Sequence, residues 1–444
     1  VDGHDKEAIR DAIQKAQMEI ERPSVIMGHT IMAQGCVTME DDHNTHGAPL
    51  PHKEIKKTKE KFGLDPNEHF QLTNDVIQDF QGGYDFARKE RAAWDLAVES
   101  RLTEADFNKS WNLAYSCGIP NIDLPVYEPG QKIATRKVWG PFIEKLAINH
   151  PTFVGGSADL EPSNVTAGFA KLVADFNRDN HRGRNFAYGV REFPMGTINN
   201  GIALHGGLKV FGATFFVFSD YERPAIRLRA LQNLPVVSEY THDSIFVGED
   251  GPTHQPIEHL MACRVIPNLL VMRPADANEA LVASTLAFEQ TNRPTLVLLT
   301  RQGLPVFDRS QYPPAEEFRK GGYIMSDCVG EPDVVIITTG SEVWVALDVK
   351  EILKEINIRV VNLGCWEIFD QQSNIYRQTV LGNKSALRVS LEAGITSGWE
   401  HYTGLDGLNI GIDTFGESAP GNDVADHFGI TPEQVANRIR NRLK

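Results

Sequence analysis

Three strand-length apolar runs constrain the fold most: LPVVSEYTHDS (234–244), LLVMRPAD (269–276) and TLVLLTRQ (295–302). Each is continuously apolar and then ends in polar residues. A strand buried on both faces reads as a continuous run, while a half-buried strand alternates. Between the runs lie stretches with helical spacing, such as PAIRLRALQN (224–233). Strands that alternate with helices predict a parallel α/β sheet, with functional groups at the carboxyl ends of its strands.

The same alternation extends in both directions. ATRKVWGPFIEKLAI (134–148) reads as a helix, TFVGGSADL (152–160) as a strand running into a loop, and KVFGATFFVFSDY (209–221) as a strand entering a helix. Beyond YPPAEEFRKGG (312–322), a smaller α/β unit follows: DVVIITTG, a Ser-Glu turn and a helix, then IRVVNLG and NIGIDTF as strands. Upstream, Asp5 is placed to cap an amphipathic helix over residues 5–21, and RPSVIMGHTIM (22–32) is expected to be a buried strand. Residues 52–115 read as helices with loops, and 117–132, with three prolines, as a linker. The expected organisation is therefore 1–116, linker 117–132, a domain over 133–310 and a smaller one over 311–444.

Charge narrows the partners. With 44 basic and 59 acidic residues the net charge is -15, which argues against nucleic acid or an anionic membrane surface. An anionic small molecule would need a local Arg and His cluster. The five cysteines, Cys36, Cys117, Cys263, Cys328 and Cys365, show no metal spacing, so the expectation is reduced thiols and no metal ligands within this chain. No apolar run approaches the ~20 residues needed to span a bilayer.

The stretch THDSIFVGEDGPTHQP (241–256) sets His242, Asp250 and His254 on one loop leaving an apolar strand. Two imidazoles and a carboxylate held together suit hydroxyl recognition and proton transfer near neutral pH. A single loop histidine would ordinarily be a solvated side chain; the density here points to chemistry. The stretch resembles the substrate loop of transketolases. The resemblance implies that His242 and His254 face a sugar and that Asp250 binds its α-hydroxyl. Phe246 stands where a small residue is usual, and either narrows the channel or packs outside it.

Other segments carry the same resemblance. YGVREFPMG (188–196) is similar to the family segment whose glutamate, here Glu192, bonds to N1′ of the thiamine aminopyrimidine; without that context, Arg191 and Glu192 would read as a surface ion pair. Phe215, Phe218 and Tyr221 would otherwise be a core-facing helical stripe; the resemblance makes them the pyrimidine pocket. In GGSADLEPSNVT (155–166) it implies a cofactor-side carboxylate at Asp159 and a phosphate contact at Ser163, with Glu161 as a departure. Arg136 and Arg301 match the arginines that clamp the substrate phosphate, a task suited to bidentate guanidinium forks. GHTIMAQG and NTHGAPL place Ile31 under the thiazolium ring and His46 near the reacting carbons.

The resemblance implies a transketolase: thiamine diphosphate as cofactor, sugar phosphates as substrates, a cytoplasmic homodimer with the active site at the interface. No Gly-Asp-Gly sequence, the diphosphate–Mg2+ motif of thiamine enzymes, occurs in the chain. The expectation is a chain lacking most of its pyrophosphate-binding domain, with the Mg2+ ligands in the missing part. Rival readings are a dihydroxyacetone or deoxyxylulose-phosphate synthase, and a non-catalytic fragment or subunit of a split enzyme.

Overall fold

A computed structural model describes every residue of the chain except 116–118, 120–121 and 384. Cys117 and part of the segment read as a linker therefore lie outside the described residues. The chain divides into two compact units, Val1–Ser100 and Arg101–Lys444.

The first unit is helical. Asp5 caps α1 (Lys6–Met18) by accepting from the amides of Glu7 and Ala8, as its side-chain chemistry predicts. Helices α2 (His52–Lys61) and α3 (Asn74–Leu102) follow, the last two residues of α3 counting with the second unit. The buried strand expected over 22–32 is not formed. That segment is irregular and exposed, with Val25 at 86% and Met27 at 75% exposure. Its one pairing partner is the short stretch around Asp2: the amide of Gly3 donates to the carbonyl of His29, and that of His29 to the carbonyl of Val1. An apolar run makes a strand only where neighbouring backbone offers a ladder. Only Cys36 and Glu54 are buried in this unit, the Glu54 carboxylate accepting from the amide and hydroxyl of Thr38 at 2.7 and 2.6 Å.

The second unit begins with α4 (Ala105–Tyr115) and holds two sheets. The first has the order β2-β3-β4-β6-β5 and is wholly parallel: β2 (Phe153–Ser157), β3 (Lys209–Phe215), β4 (Val237–Thr241), β5 (Leu270–Met272) and β6 (Thr295–Leu299). A small antiparallel pair, β1 (Lys132–Ala134) and β7 (Gly303–Pro305), lies beside it in sequence. Its helices are α5 (Arg136–Asn149), α6 (Ala167–Val173), α7 (Glu192–His205), α8 (Ser219–Leu231), α9 (His259–Arg264) and α10 (Ala277–Glu289). One core joins α5 and α10 to the sheet through Trp139, Phe142, Phe153, Phe211 and Phe288; a second, on Tyr240, Leu269 and Leu298, receives Ile226 of α8 and Leu260 of α9. Ile122, Leu124 and Tyr127, from the proline-rich segment, pack on the first core.

The second sheet has the order β12-β11-β9-β10-β8, with β8 (Tyr323–Ser326) antiparallel and the rest parallel: β9 (Val334–Thr338), β10 (Ile358–Asn362), β11 (Leu387–Leu391) and β12 (Leu408–Ile410). Helices α11 (Glu342–Ile352) to α16 (Pro432–Leu443) cover it. The α/β class with a smaller carboxy-terminal α/β domain is as expected. Strands β8 and β11 are not expected from the sequence, because YIMS and LRVSL are too short to establish a period. Among the described residues no helix is long and apolar enough to cross a membrane.

Candidate active site

The functional groups gather at the carboxyl ends of β2, β3, β4 and β6. Strand β3 ends at Phe215 and turns through Phe216–Phe218 into α8. The expected helical stripe is therefore split between a strand end, a turn and a helix. Phe215 and Phe218 lie nearly parallel, 5.8 Å between centroids with 3° between planes. Tyr221, 66% exposed, is tilted against Phe218 at 6.0 Å. His242, just beyond β4, stacks on Phe215 at 3.7 Å, and His254 stands edge-on to Phe218 at 5.5 Å. The loop and the aromatic wall, read separately in sequence, thus form one cluster.

His242 is 4% exposed and sits at φ +62°, a left-handed conformation a non-glycine residue holds only when its surroundings impose it. A hydrogen-bond chain supplies part of that constraint. Ser157 Oγ donates to Asn164 Oδ1 at 2.9 Å, Asn164 Nδ2 to Thr241 Oγ1 at 2.9 Å, and Thr241 Oγ1 meets His242 Nδ1 at 2.8 Å. Thr241 Oγ1 accepts from Asn164, and its contact with Nδ1 is a hydrogen bond in either ring tautomer. Burial, then the charges of Arg136, Arg301 and His254, push the His242 pKa down to about 3. The ring is neutral at pH 7.

Two arginines flank this cluster. Thr135 and Thr300 exchange hydrogen bonds, the amide of Thr135 to Thr300 Oγ1 at 3.1 Å and that of Thr300 to Thr135 Oγ1 at 2.8 Å. This pins Arg136, heading α5, beside Arg301, following β6. Arg136 Nη1 donates to the Ser163 carbonyl at 2.6 Å, while its buried Nε has no partner. Burial and then Arg301 lower the Arg136 pKa. Neighbouring guanidiniums with an unmatched donor form a site made for an anion. Asp159 holds φ +64° and is exposed; Asp250 is exposed at the close of the Ile245–Asp250 turn. Glu161 accepts at 3.3 Å from Asn185 Nδ2, which lies 24 residues on, beyond α6.

Glu192 is the first residue of α7 and is 8% exposed. The helix amino terminus favours the ionised carboxylate, but burial outweighs it, and with the charge of Glu222 raises the Glu192 pKa. Arg191 does not pair with Glu192; its Nη1 donates to the Tyr188 carbonyl at 2.9 Å. Glu192 is thus a buried carboxyl group disposed to keep its proton. His46 and Ile31 lie in the first unit, both exposed, the Ile31 amide donating to His4 Nε2 at 2.7 Å.

Several groups escaped sequence reading. Glu222 forms a fully buried ion pair with Arg229 and accepts from Tyr240 Oη at 2.6 Å. Glu239, buried in β4, has no partner for either oxygen, and its pKa is raised well above normal by burial. His259 lies between Asp220 and Glu258, its Nε2 3.1 Å from Asp220, and the three place ligand atoms within 4.8 Å of one another. None of these was read from the sequence, where a charged residue inside a helix or strand pattern reads as solvent-facing.

Comparison with known proteins places this geometry. Three family models match: the transketolase thiamine diphosphate binding domain at residues 1–112, the transketolase pyrimidine binding domain at 131–306, and the transketolase-like C-terminal domain at 321–431. Transketolases of Aquifex aeolicus and Bacillus subtilis are 42% and 40% identical over 99% of this chain, which spans 63% and 67% of their lengths. A transketolase variant from Pichia stipitis, crystallised with xylulose 5-phosphate, superposes with a TM-score of 0.89 at 35% identity, over 99% of this chain and 65% of that one. The match at 1–112 does not support the expectation that most of the diphosphate-binding domain is lacking. It also conflicts with placing the metal ligands in an absent amino-terminal part, since the diphosphate-binding domain is matched within this chain.

Proposed function

The chain belongs to the transketolase family, and on that premise we propose that it transfers a two-carbon ketol unit from a ketose phosphate such as xylulose 5-phosphate to an aldose phosphate such as ribose 5-phosphate or erythrose 4-phosphate, in the pentose phosphate pathway. The cofactor is thiamine diphosphate with Mg2+, which supplies the electron sink that carbon–carbon cleavage needs and no side chain provides. The observation that carries this reading is the cluster of neutral His242 on Phe215, with His254 and Phe218 beside it and the charges of Arg136 and Arg301 acting on it.

The residues divide the work. Glu192 holds a proton for the pyrimidine N1′, and its raised pKa supports that role. Phe215, Phe218 and Tyr221 offer rings to the pyrimidine, and Asp159 stands on the cofactor side. Arg136, Arg301 and Ser163 bind the substrate phosphate. His242 offers Nε2 for a hydrogen bond with a sugar hydroxyl without bringing charge, His254 moves protons at the substrate hydroxyls, and Asp250 accepts from the α-hydroxyl. His46 and Ile31 are carried as site residues by the family resemblance alone. The family reading also makes the active species a cytoplasmic homodimer with the site at its interface.

The purified chain, supplied with thiamine diphosphate, Mg2+, xylulose 5-phosphate and ribose 5-phosphate, is expected to form a seven-carbon ketose phosphate; no product at any enzyme concentration removes the activity. The absence of a Gly-Asp-Gly sequence favours one second reading, a non-catalytic subunit of a split enzyme. That reading predicts no calorimetric binding of thiamine diphosphate and Mg2+ by the chain alone, and turnover only after a second polypeptide is added.

A further inference from the structure

The loop carrying His242 and His254 has no ladder of its own. It contains φ +62° at His242, +82° at Gly248 and +76° at Gly251, and a single short turn over Ile245–Asp250. An irregular segment of this kind takes its shape from tertiary anchors; beside the Asn164–Thr241 contact at His242, three further anchors trace to the second sheet.

The first anchor is next to His242. Asp243 Oδ2 accepts from Arg273 Nε at 2.7 Å, and both side chains are 1% exposed. Arg273 also pairs with Glu342, at the head of α11, and donates to the Thr339 carbonyl at 3.0 Å. Glu342 in turn accepts from the Ala393 amide at 3.1 Å. One guanidinium thus ties the end of β4 to the ends of β9 and β11. The second anchor is next to His254. Gln255 Nε2 lies 3.3 Å from the Ile245 carbonyl, 2.9 Å from that of Gly248 and 2.9 Å from that of Glu417. It therefore closes the loop on itself and onto the segment FGESAPGND (415–423). That segment fits tightly: a Cβ at Gly416 would run into Gln255 Oε1, and one at Gly251 into Ser418 Oγ. The third anchor is apolar. Ile245 belongs to the core of the second sheet, and Phe246 packs on that core and against Gly421. Phe246 is thereby placed on the anchored side.

We propose that the second sheet and its 415–423 segment act as the frame that fixes His242 and His254 against the aromatic wall, with Arg273 and Gln255 as positioning residues. The loop has two sides. Asp243, Ile245, Phe246 and Gln255 are held by the frame, while the two imidazoles stand against Phe215 and Phe218. The importance of that position for substrate rests on the proposed transketolase activity; the holding itself does not.

The test is amide hydrogen exchange on the full chain, following the 241–256 loop with β2 and β9 as internal controls. Arg273→Met leaves two buried carboxylates without their partner, so folding itself is at risk. Gln255→Leu roughly keeps the volume and removes the side-chain amide, whose only hydrogen bonds are those donated by Nε2. In Gln255→Leu, loop exchange is expected to rise about tenfold while β2 and β9 stay unchanged. With turnover, the KM for the ketose phosphate rises while thiamine diphosphate affinity does not move. Unchanged loop exchange in Gln255→Leu overturns the proposal. So does a rise that spreads to β2 and β9, which would make Gln255 a residue of the general fold. If the chain performs no ketol transfer at all, the functional reading fails while the exchange result still decides the frame.

Discussion

The two sheets of the second unit are each five-stranded and largely parallel, yet their strand ends do different work. In the first, β3, β4 and β6 end in Phe215, His242 and Arg301, which meet around a cluster with strained backbone and an unmatched donor. In the second, β9 and β11 lead into buried ion pairs, Glu342 with Arg273 and Glu392 with Arg264, the latter at 2.8 Å through both terminal guanidinium nitrogens, although Arg264 Nε and Thr338 Oγ1 lack hydrogen-bond partners. Strand ends of a parallel sheet converge polar groups in either case. Whether they serve as a site or as a brace depends on whether their charges are paired within the protein. A guanidinium with no carboxylate in ion-pair reach has capacity left for an anionic ligand, and a paired one has less.

Substitutions in the two sheets should therefore separate activity from stability. The largest effect is expected at Glu192. Replacing Glu192→Gln removes the transferable proton and should lower turnover by roughly 10²–10⁴-fold with little change in the unfolding midpoint; steady-state kinetics beside a denaturant melt checks both. At the brace the pattern should invert. Glu342→Leu leaves Arg273 short of one buried partner and should cost about 3–5 kcal/mol in chemical denaturation. A cost below ~1 kcal/mol there would erase the distinction between the sheets.

Two smaller effects sharpen it. Glu239 is a flaw in the first sheet that no hydrogen bond repairs. Its folded pKa lies above its ordinary value, so its contribution to stability is present at low pH and is lost as pH rises past about 4.5. Glu239→Leu is expected to stabilise the protein by about 1–3 kcal/mol at pH 7, with the advantage shrinking as the pH is lowered toward 4. His242 runs the other way. Its folded pKa of about 3 lies below the ordinary 6.5, so its contribution is present above pH 6.5 and is lost as pH falls toward 3. The stability of the natural chain should therefore decline more steeply between pH 6.5 and 4 than that of His242→Asn, measured by urea melts across that range. Asparagine is a fair replacement because it tolerates positive φ.

Much of the fold was legible because apolar runs with polar ends report burial on both faces of a sheet, and the capping role of Asp5 could be named from its position alone. The run at 22–32 misled for the same reason: VIM is apolar enough for a strand, but a strand also needs a neighbouring ladder, and that neighbour is not encoded locally. Within the candidate site the loop residues and arginines were legible as chemical types. Asn164 and Thr241 were not, because each acts through a partner far away in the chain, and Glu222 and Glu239 were not, because their burial is set by packing that no local pattern shows.

By itself the sequence determined which residues have the chemistry: the loop imidazoles of His242 and His254, two guanidiniums, three aromatic rings and the Glu192 carboxyl. It did so because side-chain type is a local property. Only the tertiary structure decided that His242 is neutral, that Phe246 turns toward the second sheet, and that Arg273 and Gln255 hold the loop. Charge state, orientation and restraint depend on distances between segments separated by tens to more than a hundred residues, and those distances exist only once the two sheets have packed.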